Sequence, residues 1–394
     1  MNTLFLILRT HLSFLIMCAG SGALFLSNIL TKKFLTPSDY LSLSYIITIT
    51  TILSSFALGG MEQLIIRYGR YNNNKFEIDK TSACCTGIGI AISVTFSPII
   101  TKVIFPNQLS TLWISLLTLT FCLSLINYNI SRIKSSFVEA QLISGAWKFS
   151  IFLGVLICIL SLSSALESAL LTTIALAGLL NIYYFLKNAK SLAIIRSNQS
   201  PLSTALAFSF SLAIMTVLGS FDRILAEKFS GQSLFTEYVY FSMILIFPFN
   251  MIASYIGFRE AIFFKTNFSN NLFIHKTRTL LIKITTAFFL FGGCIYLISP
   301  LIELKITWLN MLLSYFLVSI KCIYSLLSSV MGSRASAKDI WKSNIYSATA
   351  IIAIFAIFST LSYDITTNSL LTLFIALWLS RAVIFTHTVL SEKK

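Results

Sequence analysis

The chain alternates long apolar runs with short polar breaks. Runs near 12–31, 41–60, 81–101, 110–130, 149–166, 168–186, 202–221, 236–258, 279–299, 306–330, 344–362 and 368–390 each approach the roughly 20 residues that carry an α-helix across the hydrocarbon core of a bilayer. Only internally hydrogen-bonded backbone is tolerated there. The pattern therefore predicts an all-α polytopic membrane protein with twelve transmembrane helices. Arg9 gives the first run a basic start like that of a signal peptide, but the run is too long and further spans follow it.

The pattern also repeats. Asn28-Ile29-Leu30-Thr31-Lys32-Lys33-Phe34-Leu35 runs in parallel with Arg223-Ile224-Leu225-Ala226-Glu227-Lys228-Phe229-Ser230, an offset of 195 (223 − 28). After a three-residue slip the offset is 198, and Asp39-Tyr40 falls on Glu237-Tyr238, Gly59 on Gly257, Glu62 on Glu260 and Arg67 on Lys265. Ser97-Pro98, Ser131-Arg132 and Trp147-Lys148 find counterparts in Ser299-Pro300, Ser333-Arg334 and Trp341-Lys342 in the same order. A near-constant offset close to half of 394 residues predicts two copies of one unit, 1–200 and 201–394. Six spans per unit return the chain to its starting side. The units are then parallel repeats, an arrangement that places a substrate site between halves in known transporters.

Composition agrees with the bilayer reading: 56% hydrophobic residues, 11% charged and a mean hydropathy of +0.84 exclude an ordinary soluble domain. A net charge of +15 would point to nucleic acid in a soluble protein. Here its distribution matters instead, because Lys and Arg concentrate in cytoplasmic loops. Counted on alternate sides, 21 fall on the side of Arg9, Arg67, the Arg132-Lys134-Lys148 group and the C-terminal lysines, against 6 on the other. Both termini are expected in the cytoplasm. Lys321 and Arg381 complete the 29 and lie inside spans. The loops are short, so whatever the protein does takes place in the bilayer. The seven cysteines lie in or beside apolar runs and read as small core residues. His11, His275 and His387 lack ligand spacing, and no Walker motif occurs. Neither a metal nor a cofactor is expected, ATP included.

Lys321 is the sharpest candidate, since a cation at the centre of a span costs about 2.5–3.5 kcal/mol on insertion scales. Asn310, Ser314, Lys321 and Ser325 share one face of the tenth helix, which predicts a polar cavity there. A buried lysine held for packing is the plainer alternative. Ser209, Thr216 and Ser220 lead similarly to Arg223 on the seventh helix, where the first repeat has Asn28. An interfacial Asp222-Arg223 pair explains that stripe equally well. Arg381 lies nine residues, or about 13 Å, from the inner end of the last span, and pathway and structural roles stand level for it. Glu62 with Arg67 and Glu260 with Lys265 mark the inner ends of equivalent helices and suit gating or interface anchoring. Asp39 and Glu237 suit helix N-capping.

Leu35-Thr36-Pro37-Ser38-Asp39-Tyr40, Gly59-Gly60-Met61-Glu62 with Arg67, and Phe221-Asp222-Arg223 resemble the polysaccharide-transport branch of the MATE-like MOP superfamily. Within it the chain is most similar to Wzx-type flippases of O-antigen or capsule repeat units. The resemblance implies two six-helix bundles in a V around a cavity that opens alternately to each side. It also implies a cargo, an oligosaccharide linked through pyrophosphate to undecaprenyl, serving lipopolysaccharide O-antigen or other surface polysaccharide synthesis. Lys321, Arg223 and Arg381 would then hold the anionic head group, and the serine and asparagine stripes the glycan. The expected partners are this lipid-linked oligosaccharide, membrane lipids, and the polysaccharide polymerase and chain-length machinery. No nucleic acid partner is expected, and the protein is read as a monomer and not an enzyme. A multidrug or cation antiporter of the same fold is the nearest rival, although deep cations suit an anionic cargo better than a cationic drug. A membrane polysaccharide polymerase or lipid-linked glycosyltransferase would carry a long outer loop, and this chain has none.

Overall fold

The computed structural model describes residues 2–106, 108–161, 166–195, 202–360 and 365–391, with all their side chains except those of 2–11, 230, 258, 262, 265 and 266. Thirteen helices form among these residues: α1 (Asn2–Phe34), α2 (Pro37–Phe56), α3 (Glu62–Tyr68), α4 (Lys80–Ile104), α5 (Thr111–Ile133), α6 (Phe137–Ser161), α7 (Leu166–Ala189), α8 (Leu202–Phe241), α9 (Phe247–Thr266), α10 (Asn270–Ile298), α11 (Trp308–Arg334), α12 (Ala337–Thr360) and α13 (Thr367–Ser391). Gly231, at φ 77°, breaks α8 in two. A π-helical turn over Ser242–Ile246 leads into α9 just ahead of Pro248, which has no N–H to give to the preceding turn. Among the described residues, eleven helical stretches are long and apolar enough to cross a membrane. The chain divides into two compact units, Met1–Thr216 and Val217–Lys394.

The fold is nearly, not wholly, helical. Strands β1 (Arg70–Asn72), β2 (Lys75–Asp79) and β3 (Leu192–Ile195) form a small sheet in that order, β1 antiparallel and β3 parallel to β2. Asn73 and Asn74, at φ 47° and 60°, make the two-residue turn that a tight hairpin needs. Parity follows from the sheet: the four helices α4 to α7 lie between β2 and β3, and an even number of crossings brings both strands to one side. Lys134, one residue past α5, donates to Asn188 Oδ1 at 2.8 Å and lies 5.4 Å from the Tyr71 ring. Burial lowers its pKa from the ordinary lysine value, with Glu139 opposing and Lys187 adding to the effect.

The expected second span, 41–60, is a broken helix. Thr36 caps α2 and Asp39 closes a capping box with it, so Asp39 does cap as its position suggested. α2 then ends near Phe56, and Gly59 and Gly60 take φ 57° and 88°, a region that side chains disfavour. A Cβ on Gly60 would also lie 2.8 Å from the Phe208 backbone. The break sits at the level of mid-α5, because Cys122 Sγ donates to Ala57 O at 2.9 Å. α3 continues to Gly69, where a Cβ would lie 2.9 Å from Ile133 at the end of α5 and from Phe76 of β2. Glu62 therefore starts α3 below a mid-depth break and does not mark an inner end. Its α2 portion, rich in serine and threonine, falls outside the eleven apolar stretches.

The fifth expected span, 149–166, begins too late. α6 starts at Phe137, which puts Lys148 at its centre, only 4% exposed, and not in the inner loop. α1 packs against this stretch of α6: a Cβ built on Gly20 would meet the Phe149 ring at 3.5 Å, the Gly145 Cα at 3.7 Å and the Lys148 stem at 3.8 Å, all ordinary contact distances. Small residues at helix contacts permit this close approach in membranes.

Candidate functional site

In the second unit, α8, α11, α12 and α13 gather four of the deep polar groups. Lys321 is midway along α11, 13 residues from either end, or about 20 Å. Its Nζ lies 5.3 Å from the Trp378 ring of α13, and Asp222 and Arg223 of α8 are its charged neighbours. Among the described residues it makes no hydrogen bond and no ion pair. Trp378 is held in turn by donating its indole N–H to Leu218 O at 3.2 Å, which fixes the aromatic face beside the ammonium.

Asp222 is buried. Its Oδ2 accepts the Tyr238 hydroxyl at 2.8 Å and its Oδ1 accepts the Arg223 backbone N–H at 2.9 Å. The first unit holds a counterpart: the Tyr40 hydroxyl reaches Asn28 Oδ1 at 3.5 Å, and Asn28 Nδ2 donates back to Leu24 O at 2.8 Å. Each tyrosine thus straps its helix to a polar side chain on the preceding one, strongly on a carboxylate and weakly on an amide. Asn28 is fully buried and its amide is used in this way. Arg223 is 5% exposed.

Arg381 is wholly buried. Nε donates to Tyr324 Oη at 2.8 Å, Nη2 donates to Asn344 Oδ1 at 3.2 Å, and the guanidinium lies 4.6 Å from the Phe385 ring. These contacts join α11, α12 and α13. In this conformation the side chain offers no surface to a ligand.

The stripes divide on inspection. Asn310 belongs to the cap of α11, accepting the Thr307 hydroxyl at 2.8 Å and donating its own N–H back to it. Ser325 donates across to Ala253 O of α9, and Ser329 donates to Gly257 O at 3.1 Å, so this side of α11 clamps α9. Ser314 and Ser220 are buried with hydroxyls that find no partner among the described residues. In the first unit the Thr216 hydroxyl is likewise without one, and Ser209 donates back to Ala205 O at 3.0 Å.

The two carboxylates at the second helix of each unit differ. Glu62 Oε2 is buried with no hydrogen-bond partner among the described residues, and the Arg67 guanidinium lies 5.9 Å from the Tyr68 ring. Glu260 forms its ion pair with Lys276 of α10, whose ammonium is 3.6 Å from the Phe263 ring. Lys265 is outside the described side chains. Sequence reasoning missed Lys148, counted to a loop, and also Tyr324, Asn344 and Trp378, which look like ordinary span residues until α11, α12 and α13 meet.

No family model and no curated protein matches the sequence. Solved structures do match its fold. An outward-facing multidrug resistance MATE family transporter of the MOP superfamily aligns at a TM-score of 0.56 and 13% identity, over 97% of this chain and 93% of that one. A MATE in complex with Br-NRF aligns at 0.53 and 13%, over 96% and 93%. An inward-facing conformation of a multidrug resistance MATE transporter gives 0.52 and 11%, over 95% and 92%. Identity this low speaks to fold alone: this multi-pass membrane chain has the fold of the MATE transporters of the MOP superfamily.

Proposed function

We propose that the chain carries undecaprenyl-pyrophosphate-linked oligosaccharide from the cytoplasmic to the outer leaflet of a bacterial inner membrane by alternating access, for O-antigen or other surface polysaccharide. On this reading Pro37–Tyr68 supplies a twelfth crossing and both termini are cytoplasmic. Lys321 carries the proposal: an ammonium at mid-span with no hydrogen bond or ion pair among the described residues is expensive unless an anionic cargo engages it. Arg223 assists. Arg381 acts from behind by holding Tyr324, which stacks edge-on against Trp378 at 5.2 Å. Pyrophosphate is bound by cations in a low-dielectric site, and deep cations outnumber deep acids here.

Lys321→Ala should leave lipid-linked repeat units on the cytoplasmic leaflet and abolish surface polysaccharide while the protein stays in the membrane. Lys321→Arg should retain more activity. Full surface polysaccharide from the alanine variant would sink the assignment.

A multidrug or cation antiporter is the second reading, favoured by Glu62, whose buried Oε2 lacks a hydrogen-bond partner among the described residues and would suit a cationic drug. Deleting the gene distinguishes them. Hypersensitivity to cationic drugs with normal surface polysaccharide supports the antiporter.

A further inference from the structure

At the end of the first unit opposite the sheet, an open cavity of about 630 Å³ lies between the first turns of α2, α5 and α7. Asp39 and Ser42 line it from α2, Ser110 and Trp113 from α5, and Glu167 and Thr172 from α7. Its volume is that of a small-molecule site, roughly 300–1,000 Å³. Several of its groups are uncommitted. Among the described residues neither the Glu167 carboxylate nor the Trp113 indole N–H has a hydrogen-bond partner. Asp39 gives only Oδ2 to the Thr36 cap.

The electrostatics narrow the ligand. Three helix N-termini, each equivalent to roughly +0.5 charge, nearly offset two carboxylates, so the cavity is no deep well for a bare ion. No group of three His, Cys, Asp or Glu side chains suited to a metal occurs among the described residues. What the lining asks for is a molecule that donates hydrogen bonds to carboxylates, accepts them from hydroxyls, and lays an apolar face on an indole. Ring hydroxyls do the first two, and the axial C–H face of a pyranose does the third.

We propose that this cavity is a saccharide subsite for a hexose or N-acetylhexosamine residue. It is a site separate from Lys321, formed wholly within the first unit. It rests on the glycan-carrying reading only for which sugar-bearing molecule arrives; with the inner side set by the basic loops, that molecule is a glycan already on the outer face.

The test uses the full chain in lipid nanodiscs and saturation-transfer difference NMR with free glucose, galactose and N-acetylglucosamine. At least one sugar should give a saturable signal with a Kd on the order of millimolar, weakened about tenfold by Trp113→Leu and by Glu167→Gln. Glu167→Asp should recover part of the loss, and thermal unfolding should confirm that the variants remain folded. Absence of saturable binding by all three sugars, or equal binding by wild type and variants, overturns the proposal. So does loss of the sugar signal on adding millimolar calcium alone, which makes this a cation site. Full polysaccharide export by Lys321→Ala would defeat the flippase reading without touching this measurement.

Discussion

Gly257→Ala separates packing from cargo handling at Ser325. A Cβ on Gly257 would lie 2.6 Å from Ser325 Oγ and 3.6 Å from Ser329 Oγ. The Ser325 hydroxyl must rotate away, which breaks its bond to Ala253 O. Such interhelical bonds average about 0.6 kcal/mol and reach about 1.7 kcal/mol, and overpacking adds about 1–3 kcal/mol. Alanine returns about 1 kcal/mol of helix propensity. The net expectation is a loss of about 1–3 kcal/mol. In a Ser325→Ala background the obstructing oxygen is gone, and Gly257→Ala should become neutral or stabilising. Unfolding in mixed micelles across the four-member cycle measures the coupling, expected at about 1–2 kcal/mol. Additivity to within about 0.5 kcal/mol would refute the clamp, and so would a Ser325→Ala variant that keeps full stability but loses transport.

Tyr238→Phe removes the hydroxyl from a buried carboxylate and should cost about 1.5–3 kcal/mol, whereas Tyr40→Phe, whose contact to Asn28 is 3.5 Å long, should cost under about 0.5 kcal/mol; thermal unfolding of the two variants in detergent compares them, and equal losses would mean the straps are equivalent after all. Arg381→Lys keeps the charge but cannot reproduce donation to both Tyr324 and Asn344, so it should lower stability by about 1–3 kcal/mol, and any transport defect should be recovered at lower temperature. A transport defect that persists in a fully stable Arg381→Lys protein would return this residue to the cargo path.

Hydropathy made most of the span positions legible, because a bilayer demands length and apolarity in one contiguous stretch. The places where it misled are those where tertiary contact decides. Lys148 looks like a loop residue because charge is charge in a sequence, and only the start of α6 at Phe137 and its packing on α1 show that the side chain is buried at mid-helix. Asn310 keeps the spacing of a cavity stripe, yet it lies at the helix start where Thr307 reaches it. Ser325 keeps the same spacing and spends its hydroxyl on a carbonyl of α9, a helix 72 residues away in sequence. Arg70–Asn72 and Lys75–Asp79 are too short and polar to announce strands, and their partner β3 comes only after four helices. Lys321 needed no structure to be singled out, since nothing but a mid-span position was required.

The sheet bears on how this protein is inserted. Phe76 of β2 pairs with Leu192 of β3, 116 residues later (192 − 76), so a ribosome finishes all of α4 to α7 before the second strand exists. Lengthening a connection adds little closure entropy, and inserted helices hold both strands at one membrane face. The pairing thus acts as a topological checksum. A chain that threads three of those four helices delivers β3 to the opposite side of the bilayer and leaves β2 with an open edge, a lesion that quality-control proteases on the side of β2 can read.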